Sequence, residues 1–286
     1  MTRVLLTGAS GCLGHHLLHA VPATCAVLPA YRSRPIDHTD AIALDLTDAA
    51  ATHAALAAAD ADVVIHTAYG AGDPARDVTL ATQNLVAAAV AAGVRRFVYV
   101  SSDMVFDGRG GPYAEDDPTT ATSDYGRAKI AAEAAVRSAY ADAVIARCSL
   151  IVAREPVNPS SAWVLDALRA GKPIQLFTDE YRSPIMAADL AAALWELASR
   201  PAAAVAGVWH LAGPEHLSRF AIGLLLARSF GLDAAPMQPR RVADSPSPRP
   251  ADLRLHTARQ QAQLTHVCHS LSAALCPPAT CRGTAL

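Results

Sequence analysis

A tyrosine and a lysine that could move a proton together lie in the middle of the chain. Tyr125 and Lys129 are four residues apart, and on a helix that spacing places both side chains on one face. The pKa of a free phenol is about 10, and a neighbouring ammonium favours the phenolate and lowers that pKa. Ser102 closes a short apolar run, where its hydroxyl could hold a carbonyl oxygen beside the phenol. These three residues predict proton exchange with a carbonyl group.

Three glycines at a spacing of three follow the first apolar run, in the segment TGASGCLG at residues 7–14. Gly8 would permit a tight turn, Gly11 would let a pyrophosphate approach the backbone, and Gly14 would let a helix pack against a sheet. An ordinary strand-to-helix turn is the alternative. The position at the start of the chain favours a dinucleotide site, whose phosphates would meet free N–H groups of the helix. The residues expected to line it are Gly8, Ser10, Gly11, Cys12, Leu13 and Gly14.

Basic residues stand after the second apolar run, where an NAD(H) site usually carries an acid. Arg32, Ser33 and Arg34 occupy that position, and two guanidinium groups suit the 2′-phosphate of NADP(H). We therefore expect NADP(H), with NAD(H) as the alternative if these residues form only a solvated basic loop and Asp37 is the acid. Asp45 is a candidate partner of the adenine amino group. The further predicted cofactor contacts are Asp45, Leu46, Thr67, Ala68, Tyr69, Tyr125, Lys129 and Cys148.

Short apolar runs alternate with longer helical patterns over residues 1–150, and these elements must position the candidate residues. The alternation predicts a parallel sheet covered on both faces, and right-handed crossovers make it doubly wound. Such a sheet binds ligands at the carboxyl ends of its strands. The predicted strands are Arg3–Thr7, Cys25–Tyr31, Ala41–Leu44, Val63–Thr67, Phe97–Ser101 and Ala143–Arg147. The predicted helices are Leu13–Ala20, Asp48–Ala58, Val78–Ala92 and Ser123–Ala139.

The alternation of short apolar runs and helical patterns becomes less regular after residue 150. We expect residues 151–264 to form a smaller substrate-binding portion, interleaved with the dinucleotide-binding domain of residues 1–150. Ala235–Pro250 holds five prolines without a clear period, which predicts a loop. Residues 265–286 show weak periodicity and are expected to form a peripheral tail. The predicted helices of this portion are Ser161–Ala170, Ala188–Ser199 and Leu217–Phe230, and its strands are Ile174–Phe177 and Val208–Ala212.

The composition excludes several classes of protein. Of the 286 residues, 52% are hydrophobic and 17% are charged, which suffices for a sizeable core and excludes general disorder. The net charge of −2 gives no electrostatic case for binding nucleic acid or an anionic membrane. No apolar stretch reaches the roughly 18 residues of a membrane span, and we read no signal peptide at the start of the chain. We therefore expect a soluble, cytoplasmic protein.

The six cysteines are expected to be reduced thiols, and no metal site is expected. Cys12, Cys25 and Cys148 fall in or beside predicted core elements, where a buried thiol behaves as a small apolar group. The other three lie near two histidines in a spacing that matches no zinc pattern. These residues of the tail are His266, Cys268, His269, Cys276 and Cys281.

Taken together, the motifs resemble those of the extended short-chain dehydrogenase/reductases. Within that group the chain is most similar to dTDP-4-dehydrorhamnose reductases and related sugar-nucleotide enzymes, and the resemblance extends to about Leu264. It is carried by TGASGCLG (7–14), RRFVYVSSDMVF (95–106), YAEDD (113–117), YGRAK (125–129), DEYRSPIMAADL (179–190), VWHLAG (208–213) and RPADLRL (249–255).

The resemblance implies a Rossmann fold and gives roles to the candidate residues. Tyr125 would be the general acid, Lys129 would bind the nicotinamide ribose and tune Tyr125, and Ser102 would orient the carbonyl group. Arg182 and Arg249 match positions at which extended members bind the substrate diphosphate. Both make sense as anion clamps, although a surface arginine is the alternative for each.

Two positions depart from the patterns of the family and bear on the reaction. Sugar 4,6-dehydratases follow the strand-end hydroxyl with Asp-Glu, whereas Asp103 is followed here by Met104. A thioether does not remove a proton, so dehydration is disfavoured. Leu150 stands where the reductases tend to carry a tryptophan against the sugar, which puts the identity of the substrate in doubt. The predicted substrate contacts are Asp103, Met104, Leu150, Arg182 and Arg249.

These observations predict an NAD(P)H-dependent ketoreductase that reduces the 4-keto group of a nucleotide-linked 4-keto-6-deoxy sugar. Three alternatives stay open: a nucleotide-sugar epimerase, a reductase of a small non-nucleotide carbonyl, and a non-catalytic regulatory subunit with the same fold. The intact set of Ser102, Tyr125 and Lys129 argues against the last. The helices that carry Asn84 and Tyr125 often build dimers in this family, so a homodimer is a further expectation.

Overall fold

The computed structural model describes residues 1–70 and 72–276. Residues 277–286 of the predicted tail, which include Cys281, lie outside these described residues. In chain order, the strands are β1 (Thr2–Thr7), β2 (Cys25–Tyr31), β3 (Ile42–Ala43), β4 (Val63–His66), β5 (Arg96–Ser102), β6 (Val144–Cys148), β7 (Ile151–Val152), β8 (Ile174–Phe177), β9 (Tyr181–Arg182), β10 (Ile185–Met186), β11 (Gly207–Leu211), β12 (Leu217–Ser218) and β13 (Met237–Arg240).

Helices separate most of these strands, as the sequence predicts. A π-helical segment at Ala75–Leu80 precedes the third helix, and 3-10 turns lie at Asp103–Val105 and Val242–Asp244. The α-helices are α1 (Cys12–His19), α2 (Ala49–Ala59), α3 (Ala81–Ala91), α4 (Asp124–Ala139), α5 (Pro159–Arg169), α6 (Ala187–Ser199), α7 (Ala202–Val205), α8 (Arg219–Ser229), α9 (Ala258–Gln263) and α10 (Leu271–Leu275).

Seven strands form one parallel sheet in the order β3-β2-β1-β4-β5-β6-β11. The chain builds outward from β1 in one direction and then continues from β4 in the other. Such a reversal of strand order opens a crevice in which open sheets bind ligands. The predicted doubly wound parallel sheet is therefore confirmed. Strand β11 brings the segment after residue 150 into this sheet, while the division into domains at residue 150 stays a prediction.

Side chains that alternate along each strand fill two cores, one on each face of the sheet. Val4 and Leu6 of β1 belong to the core under α1 and α6, where Leu17 is fully buried. Leu5 belongs to the opposite core, which α2, α3 and α4 cover. Continuous apolar strands such as β1 are typical of a sheet that is buried on both faces.

The predicted loop at Ala235–Pro250 is wrong in part. Met237–Arg240 forms β13, which pairs in parallel with β8. Pro239 lies inside that strand and fits there because β13 and β8 form a two-stranded sheet, in which an edge strand needs no N–H on its outer side. Pro239 is therefore compatible with an edge strand, while the other four prolines of the segment lie outside β13.

The described part of the predicted tail packs against two helices, while its assignment as a peripheral segment stays a prediction. Leu271 and Leu275 of α10 are buried, and they pack against Ile222 and Leu226 of α8. The backbone N–H groups of Thr265 and His266 are bound by Glu196 of α6. Residues 265–276 thus pack against α8 and are hydrogen-bonded to α6.

Within the described residues, none of the helices has the length and apolar character that crossing a membrane would require.

Candidate active site

A cleft of about 830 Å³ runs along the carboxyl ends of β1, β2, β4, β5 and β6. This volume is within the range of small-molecule and cofactor sites. All of the predicted catalytic, cofactor and substrate residues line it, although their roles stay predictions. These lining residues include Gly8, Ser10, Gly11, Cys12, Leu13, Gly14, Arg32, Ser33, Arg34, Asp45, Leu46, Thr67, Ala68, Tyr69, Ser102, Asp103, Met104, Tyr125, Lys129, Cys148, Leu150, Arg182 and Arg249.

The glycine loop between β1 and α1 has the shape that a dinucleotide site needs. Gly8 has a φ of +74°, and a Cβ atom there would lie 2.7 Å from the backbone nitrogen of Ala68. A Cβ atom on Gly14 would overlap the carbonyl oxygen of Gly8. Helix α1 begins at Cys12 without a side-chain cap, so its first N–H groups can bind an anion. The loop therefore fits a pyrophosphate group.

Two arginines stand at the β2 end of the cleft. Arg34 donates a hydrogen bond of 2.8 Å from Nη2 to the carbonyl oxygen of Ser10 in the glycine loop. Arg32 lies 3.2 Å from Asp77, measured from Nη1 to Oδ1, and about half of its side chain is exposed. Asp77 is buried, and its hydrogen bond with Arg76 lowers the pKa of its carboxyl group. A charged Asp77 therefore holds Arg32 at the cleft.

Asp77 was not found from the sequence, because no motif marks it. It lies in the π-helical segment, far along the chain from Arg32, and only the fold brings the two together. Asp45, which the sequence does identify, accepts hydrogen bonds from the backbone nitrogen and the hydroxyl of Thr47. The backbone bond is the larger cause of a lowered pKa at Asp45, so a carboxylate faces the same end of the cleft.

Tyr125 and Lys129 reach the cleft from α4. The side chain of Ser123 caps this helix by accepting a hydrogen bond from the backbone nitrogen of Gly126. Lys129 is 3% exposed, and its Nζ donates a hydrogen bond of 2.8 Å to the carbonyl oxygen of Val100. The same atom lies 5.8 Å from the centre of the Tyr125 ring. The predicted pair is therefore on one helix face, beside the end of β5.

The pKa of Tyr125 moves in the direction opposite to the one expected from a neighbouring ammonium. Burial raises the pKa of the phenol above its usual value, and a hydrogen bond with Ser102 lowers it only in part. Burial also lowers the pKa of Lys129 to about 8. The phenol consequently stays neutral near pH 7, which suits a proton donor rather than a phenolate base.

Ser102 ends β5, and its hydroxyl donates a hydrogen bond of 3.2 Å to Asp103. Asp103 is buried and accepts a second hydrogen bond, of 3.0 Å, from the hydroxyl of Ser149. Its carboxylate lies 3.7 Å from Nε of Arg182. Burial raises the pKa of Asp103. Asp103 thus links the candidate catalytic serine to the arginines at the other end of the cleft.

Three arginines converge on one buried carboxylate at that end. Glu180, 1% exposed, lies 3.2 Å from Arg182, 2.6 Å from Arg249 and 3.9 Å from Arg219. Because Arg182 also pairs with Asp103, three guanidinium groups share two carboxylates, and one positive charge remains uncompensated. This end of the cleft is suited to an anion.

Arg219 was missed in the sequence. It is the first residue of α8, where the helix dipole disfavours a positive charge. That local conflict is a signal that could have found it, because a basic residue at an unfavourable helix end needs an acidic partner or an anionic ligand. The side chain of Arg219 is 14% exposed, and this burial lowers the pKa of its guanidinium group.

The model of the family described as "RmlD substrate binding domain" matches residues 1–276 of the chain. This protein belongs to the RmlD family. The match extends over both the glycine loop and the cluster of arginines, so the resemblance read from the motifs is confirmed.

Relatives of this RmlD-family chain cover almost its whole length. The dTDP-4-dehydrorhamnose reductase of Mycobacterium tuberculosis is 30% identical over 299 residues, which cover 97% of this chain and 93% of the relative. Methionine adenosyltransferase 2 subunit beta of Xenopus laevis is 30% identical over 270 residues, covering 87% of this chain and 78% of the relative. The chain is thus similar to reductases and also to a protein named as a subunit.

Solved structures resemble this RmlD-family chain over the same extent. A hypothetical dTDP-4-dehydrorhamnose reductase from Sulfolobus tokodaii has a TM-score of 0.80 at 29% identity and covers 94% of this chain and 98% of its own. The reductase of Bacillus anthracis, in complex with NADP, has a TM-score of 0.82 at 20% identity and covers 96% and 97%. Together with the family match, these relatives support an NAD(P)-dependent oxidoreductase of the dTDP-4-dehydrorhamnose reductase type.

Proposed function

We propose that this protein is an NADP(H)-dependent ketoreductase that reduces the 4-keto group of a nucleotide-linked 4-keto-6-deoxy sugar. One observation carries the proposal. A single cleft combines a dinucleotide loop beside Arg32, the group of Ser102 and Tyr125, and the anion-binding end around Glu180. A dinucleotide and a substrate diphosphate can therefore lie on either side of the proton donor.

The residues present fit an NADP(H) cofactor. Gly8 and Gly14 allow the loop to pack closely against Ala68 and against its own backbone, and the start of α1 has no side-chain cap, so its N–H groups can meet a pyrophosphate. Arg32 and Arg34 would bind the 2′-phosphate, and Lys129 would bind the nicotinamide ribose. When bound, the cofactor supplies the hydride for the carbonyl carbon.

Tyr125 gives the proton that completes the reduction. Its pKa is raised by burial, so the phenol is protonated near pH 7 and can donate to the carbonyl oxygen as negative charge develops there. The Ser102 hydroxyl donates a second hydrogen bond to the same oxygen and orients it. In the protein alone that hydroxyl is bound to Asp103, so the substrate oxygen would replace this partner.

The arginines select a substrate with a diphosphate. Arg182, Arg219 and Arg249 surround Glu180 with excess positive charge, and guanidinium groups bind phosphate oxygens in a forked geometry. Met104 lines the cleft next to Asp103 and offers no base for the elimination of water. Reduction is therefore favoured over dehydration.

The likeness to methionine adenosyltransferase 2 subunit beta makes a non-catalytic binding subunit the second candidate. Such a subunit would need no proton donor. The presence of Ser102, Tyr125 and Lys129 together in the cleft favours the reductase. We also infer a homodimer through α3 and α4, and the cytoplasmic location stays a prediction.

The test is an assay of the purified protein with NADPH and a set of dTDP-4-keto-6-deoxy sugars. We expect NADPH to be oxidised in a one-to-one ratio with the deoxy-sugar product. An epimerase would convert the sugar without net consumption of NADPH, and a binding subunit would hold both ligands without turnover. Either of these outcomes contradicts the proposal.

A further inference from the structure

A group of metal-binding side chains lies outside the cleft, where the described part of the tail meets α6. Asp189 stands in the first turn of α6, and His266, Cys268 and His269 follow α9. The ligand atoms of Asp189, His266 and Cys268 all lie within 4.8 Å of one another. None of the four residues lines the cleft of the proposed active site.

The two imidazoles point at the same carboxylate oxygen. Nε2 of His266 lies 3.0 Å from Oδ1 of Asp189, and Nδ1 of His269 lies 2.9 Å from that atom. In a tetrahedral zinc site with bonds of about 2.0 Å, neighbouring nitrogen and oxygen ligands are about 3.3 Å apart. Each imidazole nitrogen is therefore close to the separation from Oδ1 that a single ion imposes, and Cys268 supplies a further ligand atom within 4.8 Å of those of Asp189 and His266. His269 lies outside that group of three, so its exposed side chain would turn towards the ion to complete the site.

The carboxylate of Asp189 is buried without a fixed cation. Asp189 is 4% exposed, and in the described structure its ion-pair partners are the two histidines alone. A buried carboxylate is costly unless it is paired or binds a metal. Its other oxygen, Oδ2, accepts a hydrogen bond from the backbone nitrogen of His269. Oδ1 is thereby held in a fixed orientation towards the imidazoles.

The rest of the segment is held in place before any metal binds. Glu196, two turns further along α6, accepts hydrogen bonds from the backbone nitrogens of Thr265 and His266. Gln260 donates a hydrogen bond of 3.2 Å to the sulfur of Cys268, which is 9% exposed. Such outer contacts orient the ligands of a metal site.

We propose that Asp189, His266, Cys268 and His269 form a zinc site that fastens the C-terminal segment to α6. A thiolate and two imidazoles favour zinc over magnesium or calcium, which prefer oxygen ligands. Four protein ligands close the coordination sphere, as in structural rather than catalytic zinc sites. The sequence alone gave no zinc pattern because Asp189 lies 77 residues before His266 along the chain.

The test uses cobalt(II) as a spectroscopic probe on the full chain after treatment with a chelator. One equivalent of cobalt should produce the visible bands of a tetrahedral ion and a sulfur-to-cobalt charge-transfer band, and zinc should displace it. Absence of the charge-transfer band from the wild-type protein would overturn the proposal.

Two cysteine variants assign the band to a residue. Cys268→Ser should lose the charge-transfer band and bind zinc at least about tenfold more weakly. The matched control is Cys25→Ser, on β2, which should keep the wild-type spectrum. A band that persists in Cys268→Ser, or one that disappears in Cys25→Ser, contradicts the assignment.

A variant at an exposed ligand tests the site even if substitution of the buried Cys268 prevents folding. The His269 side chain is 68% exposed, so His269→Ala should fold normally. Excess zinc should raise the Tm of the wild-type protein by about 5 °C and that of His269→Ala by much less. Equal shifts for the two proteins would rule out His269 as a ligand and the four-ligand site with it.

Discussion

The ammonium of Lys129 lies 5.8 Å from the centre of the Tyr125 ring and is fixed there by its hydrogen bond of 2.8 Å to the carbonyl oxygen of Val100. The lysine is thus oriented by the backbone of β5 and does not depend on the tyrosine for its position. Replacement of either side chain should therefore leave the other in place, and the two roles can be tested separately.

Tyr125→Phe tests the proton donor. We expect kcat to fall at least about 100-fold, because a positioned general acid contributes that much or more, whereas the affinity for NADPH should stay close to that of the wild-type protein. Steady-state kinetics and a fluorescence titration with NADPH measure the two effects.

The neighbouring tyrosine is a matched control. The ring of Tyr69 lies 6.1 Å from that of Tyr125 and is 57% exposed, so Tyr69→Phe removes a similar hydroxyl from the same cleft. Tyr69 is a predicted cofactor contact and gives no proton to the substrate, so kcat of this variant at saturating NADPH should stay close to the wild-type value. Similar losses in both variants would mean that Tyr125 has no special role.

Arg32→Ala and Arg34→Ala test the choice of cofactor. Each variant should bind NADPH about tenfold to 100-fold more weakly, because a hydrogen bond to a charged group is worth about 1.5–3 kcal/mol. Binding of NADH should change little, since it has no 2′-phosphate. Arg95→Ala, which removes an exposed ion pair with Asp62, is the control. Wild-type protein that binds NADH as tightly as NADPH would contradict the assignment.

Arg219→Ala tests the anion-binding end of the cleft. We expect KM for a nucleotide sugar to rise at least about tenfold, with a smaller change in kcat, because the contact with the diphosphate is made before and during the reaction. Arg228→Ala, on the exposed side of the same helix, should leave KM unchanged. An unchanged KM in Arg219→Ala would favour a small substrate without a nucleotide.

His66 should make folding sensitive to acid. Its ring is bound between the hydroxyls of Thr7 and Thr82, and burial lowers its pKa to about 3 from the usual 6.5. The unfolded chain therefore takes up a proton below about pH 6.5 that the folded protein does not. The stabilisation by neutral His66 is present above that pH and is lost as the pH falls towards 3.

The measurement is the free energy of unfolding in urea at several pH values. Wild-type protein should lose up to about 1.4 kcal/mol per pH unit more than His66→Gln between pH 6.5 and 4. His53→Gln, at an exposed position, should follow the wild-type slope. If His66→Gln follows that slope as well, the ring of His66 is not kept neutral by the fold.

The order of elements and most of the cleft could be predicted because parallel strands bring their carboxyl ends to one edge. Ser102 and Cys148 end neighbouring strands, so their sequence positions alone place them together. Asp77, Glu180 and Arg219 could not be found in this way. Their roles depend on contacts between residues that are distant in the chain, such as the pair of Arg32 and Asp77.

Besides contacts between distant residues, the burial of individual side chains could not be predicted from the sequence. The spacing of Tyr125 and Lys129 predicts a lowered phenol pKa, but the depth of the phenol in the cleft reverses the direction. Pro239 of β13 misled for a related reason, since a strand at the edge of a small sheet tolerates a proline. In each case the tertiary environment outweighed a local rule.

Transfer of a labelled hydride from NADPH to the sugar distinguishes a reductase from the other candidate functions. The protein would be incubated with NADPH carrying deuterium at the transferable position and with a dTDP-4-keto-6-deoxy sugar, and the product would be examined by mass spectrometry and NMR. We expect one deuterium at C4 of the product for each NADPH oxidised. A product that carries no deuterium while NADPH is not consumed would contradict it.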